Sequence, residues 1–331
     1  MRIFRWGILA PGRIAQKFAA DLALLDGDRL LGVGSSNLAR AQAFADRFGI
    51  PQAFGDYVEM LDKVRPDIAY IAAPHAMHYD LARACLDRNV SVLCEKPACL
   101  NAPQLESLLT LAANKGCFFM EALWTLFLPA IQQIQRLLYE GELGKVHTVR
   151  ADFGFYTPRQ PDSRLFNPLL GGGSLLDIGI YPLLLANVCL GTPERILAQG
   201  SLTPEGIDDE CMVQLSFPCG GMAQIHASLR SDTPTEACIH GDKGSIHIPA
   251  RWIDFPGFTW TKPGLGSQEV RCPREGFGYH YQVLEAEKCL AAGRISSMVA
   301  SHKLSLKLMR QMDEIRRQIG VVYPQDTQLP A

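Results

Sequence analysis

Along the first third of the chain, apolar runs, turns and amphipathic stretches recur in a fixed order. Ile3 to Leu9 predict a buried strand, and Gln16 to Leu25 repeat with helical periodicity. Leu30 to Ser35 predict a second strand, Tyr57 to Lys63 a short helix, and Ile68 to Ala72 a third apolar strand. Pro74-His75-Ala76-Met77-His78 opens a helix that reaches Arg88. Val90 to Cys94 predict the next strand, Asn101 begins a helix to about Asn114, and Cys117 to Met120 predict a strand ending near Glu121. This strand–helix repetition predicts an α/β fold with a parallel, doubly wound sheet, whose ligands bind beyond the carboxyl ends of the strands. Ala10, Ser35, His75, Lys96 and Glu121 all stand at such ends.

The pattern then changes. Leu128 to Tyr139 predict an amphipathic helix, and Val146 to Phe155 alternate as a strand with one exposed face. Thr157 to Asn167, rich in Pro, Arg and Asp, predict a loop able to border a pocket. After Gly171-Gly172-Gly173 a helix is expected. The runs Arg195 to Leu202, Glu210 to Phe217, Gly221 to Leu229, Glu236 to His240 and Ser245 to Ile248 follow. Short strands joined by turns at Gly220-Gly221 and at Gly241-Asp242-Lys243-Gly244 predict an antiparallel sheet. Trp252 to Trp260 either line a substrate or cap that sheet. Gly278 to Ala292 and Ser301 to Gly320 predict helices. The expected division is residues 1–122 for a dinucleotide and 123–331 for substrate and oligomerisation, with the C-terminal helix and tail able to pack back on the first domain.

Composition narrows the function. The 331 residues are 47% hydrophobic and 20% charged, with a net charge of −2. No basic excess favours nucleic acid and no polybasic run favours a membrane surface. No uninterrupted apolar run approaches ~18 residues, so no membrane span is expected. Met1 to Trp6 lack the pattern of a signal peptide, so a cytoplasmic protein is expected. The ten cysteines are scattered without a CxxC, which favours reduced thiols. His75 and His78 lie one helix turn apart without further ligands at convincing spacing, so no metal site is expected.

Ala10-Pro11-Gly12-Arg13-Ile14-Ala15 is a degenerate GxGxxG turn with Ala10, Gly12 and Ala15 at its three positions. Gly12 would let the backbone approach a pyrophosphate, and the following helix would offer its N-terminal amides. The second strand ends in Gly34-Ser35-Ser36-Asn37-Leu38-Ala39-Arg40, with no acidic residue for ribose hydroxyls. Hydroxyls, an amide and Arg40 suit a 2′-phosphate, which argues for NADP(H); a merely solvated Arg40 is the alternative. Asp177 and Tyr181, four apart, share a helix face behind the three glycines. They form either a small polar site that something approaches closely or the rim of a core helix.

The glycine-turn entry, the Pro74–His78 segment, Glu95-Lys96-Pro97 and the run from Gly171 to Tyr181 together resemble the Gfo/Idh/MocA oxidoreductase family over nearly the whole chain. Within it the chain looks closest to the branch of dimeric dihydrodiol dehydrogenases and NADP-dependent D-xylose 1-dehydrogenases. Met120-Glu121-Ala122-Leu123-Trp124-Thr125, the glycine run, Ile319-Gly320-Val321 and Tyr323-Pro324-Gln325-Asp326 carry that likeness. The resemblance implies an N-terminal Rossmann domain and a C-terminal α+β domain with an open, mostly antiparallel sheet, through which a homodimer or higher homo-oligomer would form. It implies Lys96, Asp177 and Tyr181 in catalysis. Cofactor contacts are expected from Ala10, Gly12, Arg13, Ile14, Ser35, Ser36, Asn37, Arg40, Pro74, His75, His78, Glu95 and Lys96, and substrate contacts from Trp124, Phe155 and Trp252. NADP(H) is favoured and NAD(H) is possible. Two departures stand out: Leu126 where the branch usually has Arg, and Ser36 where close relatives tend to have Arg.

The expected chemistry moves a hydride between NADP(H) and a CH–OH or carbonyl carbon of a sugar or trans-dihydrodiol. A free tyrosine has a pKa of about 10, and a nearby ammonium favours its phenolate. Lys96 would therefore tune Tyr181, which exchanges the proton with the substrate oxygen, while Asp177 orients Lys96 or the substrate. Lys96 precedes Pro97, which biases its backbone to be extended. A glycoside hydrolase that retains NAD and a non-enzymatic NADP(H)-binding sensor are the alternative classes.

Overall fold

The computed structural model describes residues 3–27 and 29–327. They form two compact units. One runs to Trp124 and includes Glu275–Leu306; the other is Thr125–Arg274 with the described residues from Lys307 to Thr327.

The first unit begins with β1 (Trp6–Leu9), α1 (Arg13–Leu22), β2 (Leu30–Gly34), α2 (Leu38–Phe48), β3 (Ala53–Phe54) and α3 (Tyr57–Val64). It continues with β4 (Ile68–Ile71), α4 (His78–Asp87), β5 (Ser91–Glu95), α5 (Ala102–Lys115) and β6 (Phe119–Ala122). All pairings in this sheet are parallel, in the order β3-β2-β1-β4-β5-β6. Every residue of β1, β4, β5 and β6 is buried, as expected of strands covered on both faces. α1 buries Ala15, Phe18, Ala19 and Leu22 from one stripe.

The sequence groups 123–331 as one domain, but Glu275–Leu306 folds with the first unit. The reason is the packing of α8 (Tyr279–Ala291) on α1. Buried Asp21 of α1 accepts the Phe277 and Tyr279 amides at 2.8 and 2.6 Å, and the Trp6 indole donates to Glu287 at 3.0 Å. Asp21 thus supplies the N-terminal acceptor that α8 lacks from its own cap residue, Gly278.

The second unit holds α6 (Pro129–Tyr139), β7 (Val146–Gly154), α7 (Ile180–Leu190), β8 (Arg195–Leu202), β9 (Asp208–Ser216) and β10 (Met222–Ser228). β11 (Ala237–Gly241), β12 (Ser245–Ile248), β13 (Gly257–Lys262) and β14 (Gly266–Arg271) follow, with the part of α9 (His302–Ile319) from Lys307 on. Its eight strands run in the order β14-β13-β12-β11-β7-β10-β9-β8, and only β7 and β10 pair in parallel. Alternation divides the faces. Cys211, Val213 and Leu215 of β9 point to the buried side, while Met212 and Gln214 are exposed. α7 packs on β7 and β10.

Pro168–Leu190 has a membrane span's length, and its most apolar 18-residue window has a mean hydropathy of 1.6, which a search for uninterrupted apolar runs overlooks because Asp177 lies inside it. Of its most apolar window, 78% is buried within the protein, so its apolarity serves as core. All ten cysteines are free thiols.

Candidate active site

In the first unit, β1 runs into the turn at Ala10. Ala10 has φ +70°, in the left-handed region that glycine enters without cost. The chain keeps the turn of a first-position glycine at a strain of roughly 1–2 kcal/mol. The turn is closed by Gly12 N–H donating to Ala10 O and by Ala10 N–H donating to Gly34 O, each 2.9 Å. α1 then starts at Arg13 with no side-chain cap and no acid in its first turn. Its leading amides, including those of Arg13 and Ile14, point out of the helix without intrahelical acceptors. Gly12 is exposed, and a Cβ there would meet only Ala72 O at 3.8 Å, an ordinary contact. Packing within the protein therefore does not require glycine at 12, whereas an anion lying on the helix start does. The residues present fit a dinucleotide pyrophosphate.

At the end of β2, Ser35 is buried and its Oγ accepts the Asn37 amide at 3.3 Å. The Asn37 side chain caps α2 by accepting the Arg40 amide at 3.0 Å. Asn37 thus has a role in the fold itself. Ser36 and Arg40 are exposed, and among the described residues no ion pair holds the Arg40 guanidinium.

Pro74 and buried His75 begin the short turn His75–Met77 before α4. His78 is fully buried, with Nδ1 2.8 Å from Pro97 O and Nε2 2.8 Å from Ala73 O. Burial pulls its pKa down to about 4. At neutral pH the ring carries one proton, so only one of the two carbonyls receives a hydrogen bond. With both nitrogens facing backbone, His78 clasps the Lys96-Pro97 loop to the end of β4 and leaves no ring nitrogen for a cofactor.

Glu95 and Lys96 are 7% and 9% exposed. Tyr70, stacked on Phe18 at 3.7 Å, donates its hydroxyl to Glu95 at 2.5 Å. Glu121, from the neighbouring strand, accepts the Ala98 amide at 2.9 Å and so holds the other side of the loop. Burial raises the Glu121 carboxyl above its ordinary value, against the Ser305 hydroxyl, the Ala98 amide and the nearby Lys96 charge. Trp124, also of this unit, is buried and stacked on Tyr279 with centroids 5.0 Å apart.

In the second unit, the glycine run does something other than the sequence suggests. A Cβ on Gly172 would lie 2.7 Å from Leu165 O, and one on Gly173 (φ +123°) would lie 2.4 Å from Asp208 Oδ1. What approaches these glycines is the protein itself. The preceding loop docks through Gly172 N–H to Asn167 O (3.1 Å) and Gly173 N–H to Leu165 O (2.9 Å). Tyr323 donates its buried hydroxyl to Gly172 O at 2.5 Å. Asp208 accepts from the Ser174 hydroxyl and the Leu175 amide, both at 2.6 Å, and its burial lifts the carboxyl to about 6.

Beyond the glycines the backbone makes a π-helical turn, Leu175–Gly179, in which the Ile180 amide reaches Leu175 O. Such turns are frequent at functional sites. Asp177 is buried on this turn, and Tyr181 is half-buried at the start of α7. Arg164 donates Nη1 to Asp177 Oδ1 at 2.8 Å and Nη2 to Oδ2 at 3.5 Å. Burial works against the Arg164 charge, but Asp177 and Tyr181 together hold its guanidinium above its ordinary value. Phe153 of β7 lies against the Tyr181 ring at 5.8 Å. The sequence did not single out Arg164 or Phe153. The polar 157–167 loop and the alternation of β7 were the only signals for them.

Of the expected substrate residues here, Phe155 is half-buried. Trp252 is 3% exposed and its indole donates to Asp152 O at 2.8 Å. It braces the end of β7 and does not present its ring. Leu126, where the resembled branch usually has Arg, is 1% exposed. Among the described residues no group of three or more His, Cys, Asp or Glu is placed to hold a metal.

Residues 4–123 match the family model described as an oxidoreductase family, NAD-binding Rossmann fold, and residues 131–247 match a GFO/IDH/MocA C-terminal domain. The chain is 34% identical to a trans-1,2-dihydrobenzene-1,2-diol dehydrogenase of Danio rerio, covering 98% of this chain and 99% of that protein. It is 33% identical to the enzyme of the same name from Mus musculus, over 97% and 98%. The fold is that of an aldose-aldose oxidoreductase from Caulobacter crescentus, with a TM-score of 0.87, 24% identity and coverage of 96% and 97%.

Proposed function

The chain belongs to the GFO/IDH/MocA oxidoreductase family, and from this we propose that it is an NADP(H)-dependent dehydrogenase acting on a CH–OH carbon of a sugar or trans-dihydrodiol. The reading is carried by the presence in one chain of an open Gly12 cradle at an uncapped helix start and a half-buried Tyr181 behind Asp177. When bound, the nicotinamide dinucleotide supplies or accepts the hydride. The residues that would hold it are Gly12, Arg13 and Ile14 at the pyrophosphate and Ser36 and Arg40 at the adenosine ribose. The absence of a carboxylate there, together with the exposed Arg40 guanidinium, supports a 2′-phosphate and hence NADP(H).

The remaining steps belong to this chain's own groups. Tyr181 exchanges the hydroxyl proton with the substrate oxygen. Lys96 is held in its loop by His78 and Glu121, and an ammonium of this kind favours the ionised form of a phenol that approaches it. Asp177 fixes the geometry around Tyr181. The exposed face of the eight-stranded sheet, with Met212 and Met222, supports association of two copies through it.

The test is cofactor reduction by the purified protein with NADP+ and NAD+ against aldoses, polyols and dihydrodiols. Turnover with NADP+ is expected. Tyr181→Phe should lower kcat by roughly a hundredfold or more while dinucleotide affinity stays within about twofold. Turnover with NAD+ alone would overturn the cofactor assignment. Unchanged kcat in the Phe variant would remove Tyr181 from the chemistry. Tightly retained cofactor without reduction by any substrate would favour the hydrolase or sensor class.

A further inference from the structure

The Arg164–Asp177 pair is built with more care than a surface ion pair needs. One guanidinium engages both carboxylate oxygens, at 2.8 and 3.5 Å, which fixes the plane of each group. The Asp177 side chain is 9% exposed and that of Arg164 is 51% exposed, so the pair lies at the edge of the unit with the arginine outermost. The arginine is held there by its loop. Asn167 N–H donates to Ser163 O at 2.9 Å, Phe166 is buried, and the amides of Gly172 and Gly173 tie the loop to the glycine run. A side chain at 172 would strike Leu165 O, next to Arg164 in sequence.

We propose that Arg164 is a positioning residue for the reaction, fixing the Asp177 carboxylate and presenting a positive charge to the Tyr181 phenol. Gly172 is glycine so that the loop carrying Arg164 can dock. Tyr181 lies against Phe153 of β7, and the Arg164 charge in the loop interacts with both Asp177 and Tyr181. The second unit therefore carries its own cation for Tyr181, in addition to any effect of Lys96. The inference rests on the dehydrogenase reading for its kinetic consequence but not for its electrostatic one.

The test compares Arg164→Met and Arg164→Lys with the native protein by two independent readouts. The first is steady-state kinetics. Arg164→Met should lower kcat by roughly ten- to a hundredfold with dinucleotide KM unchanged. Arg164→Lys should recover part of kcat, and added guanidinium ion should partly restore the Met variant. The second is tyrosinate absorbance, read as the difference from the same protein carrying Tyr181→Phe. In Arg164→Met the Tyr181 ionisation should move upward. A kcat within about twofold of native, or a Tyr181 ionisation that does not move, overturns the proposal. If the native protein turns over no substrate, the dehydrogenase reading fails and the absorbance titration alone decides the role of Arg164.

Discussion

At the first glycine turn, a Cβ on Gly12 would meet only Ala72 O at 3.8 Å; at the second, a Cβ on Gly173 would sit 2.4 Å from Asp208 Oδ1. The same residue type serves opposite ends. Gly12 has φ −81°, which any residue adopts, and an added Cβ would make one ordinary contact, so the fold itself does not require its lack of a side chain. Gly173 has φ +123° and is filled by Asp208 and Tyr323, so its lack of a side chain benefits the fold. A glycine-rich motif alone therefore does not say whether a ligand or the protein occupies the space. The contact that an added Cβ would make does.

Three substitutions would break or sharpen this contrast. Gly173→Ala should have the largest effect, about 3–5 kcal/mol of stability in a denaturant titration, because strain and collision add. A loss below about 1 kcal/mol would mean that the second turn is as open as the first. Asp208→Asn comes next. The Asp208 carboxyl titrates at about 6 in the fold against 3.8 in an open chain. The folded state keeps the proton longer, so its contribution is full below 3.8 and is lost as pH rises through about 6. Native stability relative to Asp208→Asn should fall by on the order of 3 kcal/mol across that window, read from thermal melts at a series of pH values. His78 acts in the opposite sense. Its pKa of about 4 against 6.5 gives stability present above 6.5 and lost as pH falls to about 4, and it cancels in the comparison of the two proteins. Parallel pH profiles for the two proteins would show that Asp208 is not the buried acid at the turn.

The smallest effect belongs to Gly12→Ala. Stability should drop by at most about 1 kcal/mol, the preference for glycine over alanine at a helix cap. Dinucleotide affinity should fall about tenfold, or about 1.4 kcal/mol, in a binding titration. Equal affinity in the two proteins would make Gly12 a turn residue and no more.

The order of the first sheet was legible because each buried strand is a short apolar run and each helix carries its own stripe. α2 was not predicted, since its buried positions include Ala41 and Ala45, whose weak contrast hides the stripe. β13 and β14 were missed because an edge hairpin with β14 almost wholly exposed shows no alternation. The return of Glu275–Leu306 to the first unit had no local signal, since Asp21 and Phe277 meet across 256 positions. Lys96, Asp177 and Tyr181 were found by motif. Arg164 was not, because an arginine in a polar loop looks like solvent-facing surface until its loop is docked.

By itself, then, the sequence determined most of the strands and helices, where the strand ends gather polar groups, and which family the motifs resemble. These follow from periodicity and from residue chemistry over a few neighbouring positions. Tertiary structure alone decided what each glycine makes room for, that His78 and Asn37 serve the fold, that Trp252 braces a strand, and that Arg164 meets Asp177. Each of those depends on which atom from a distant part of the chain fills a given space, and packing sets that where local pattern does not.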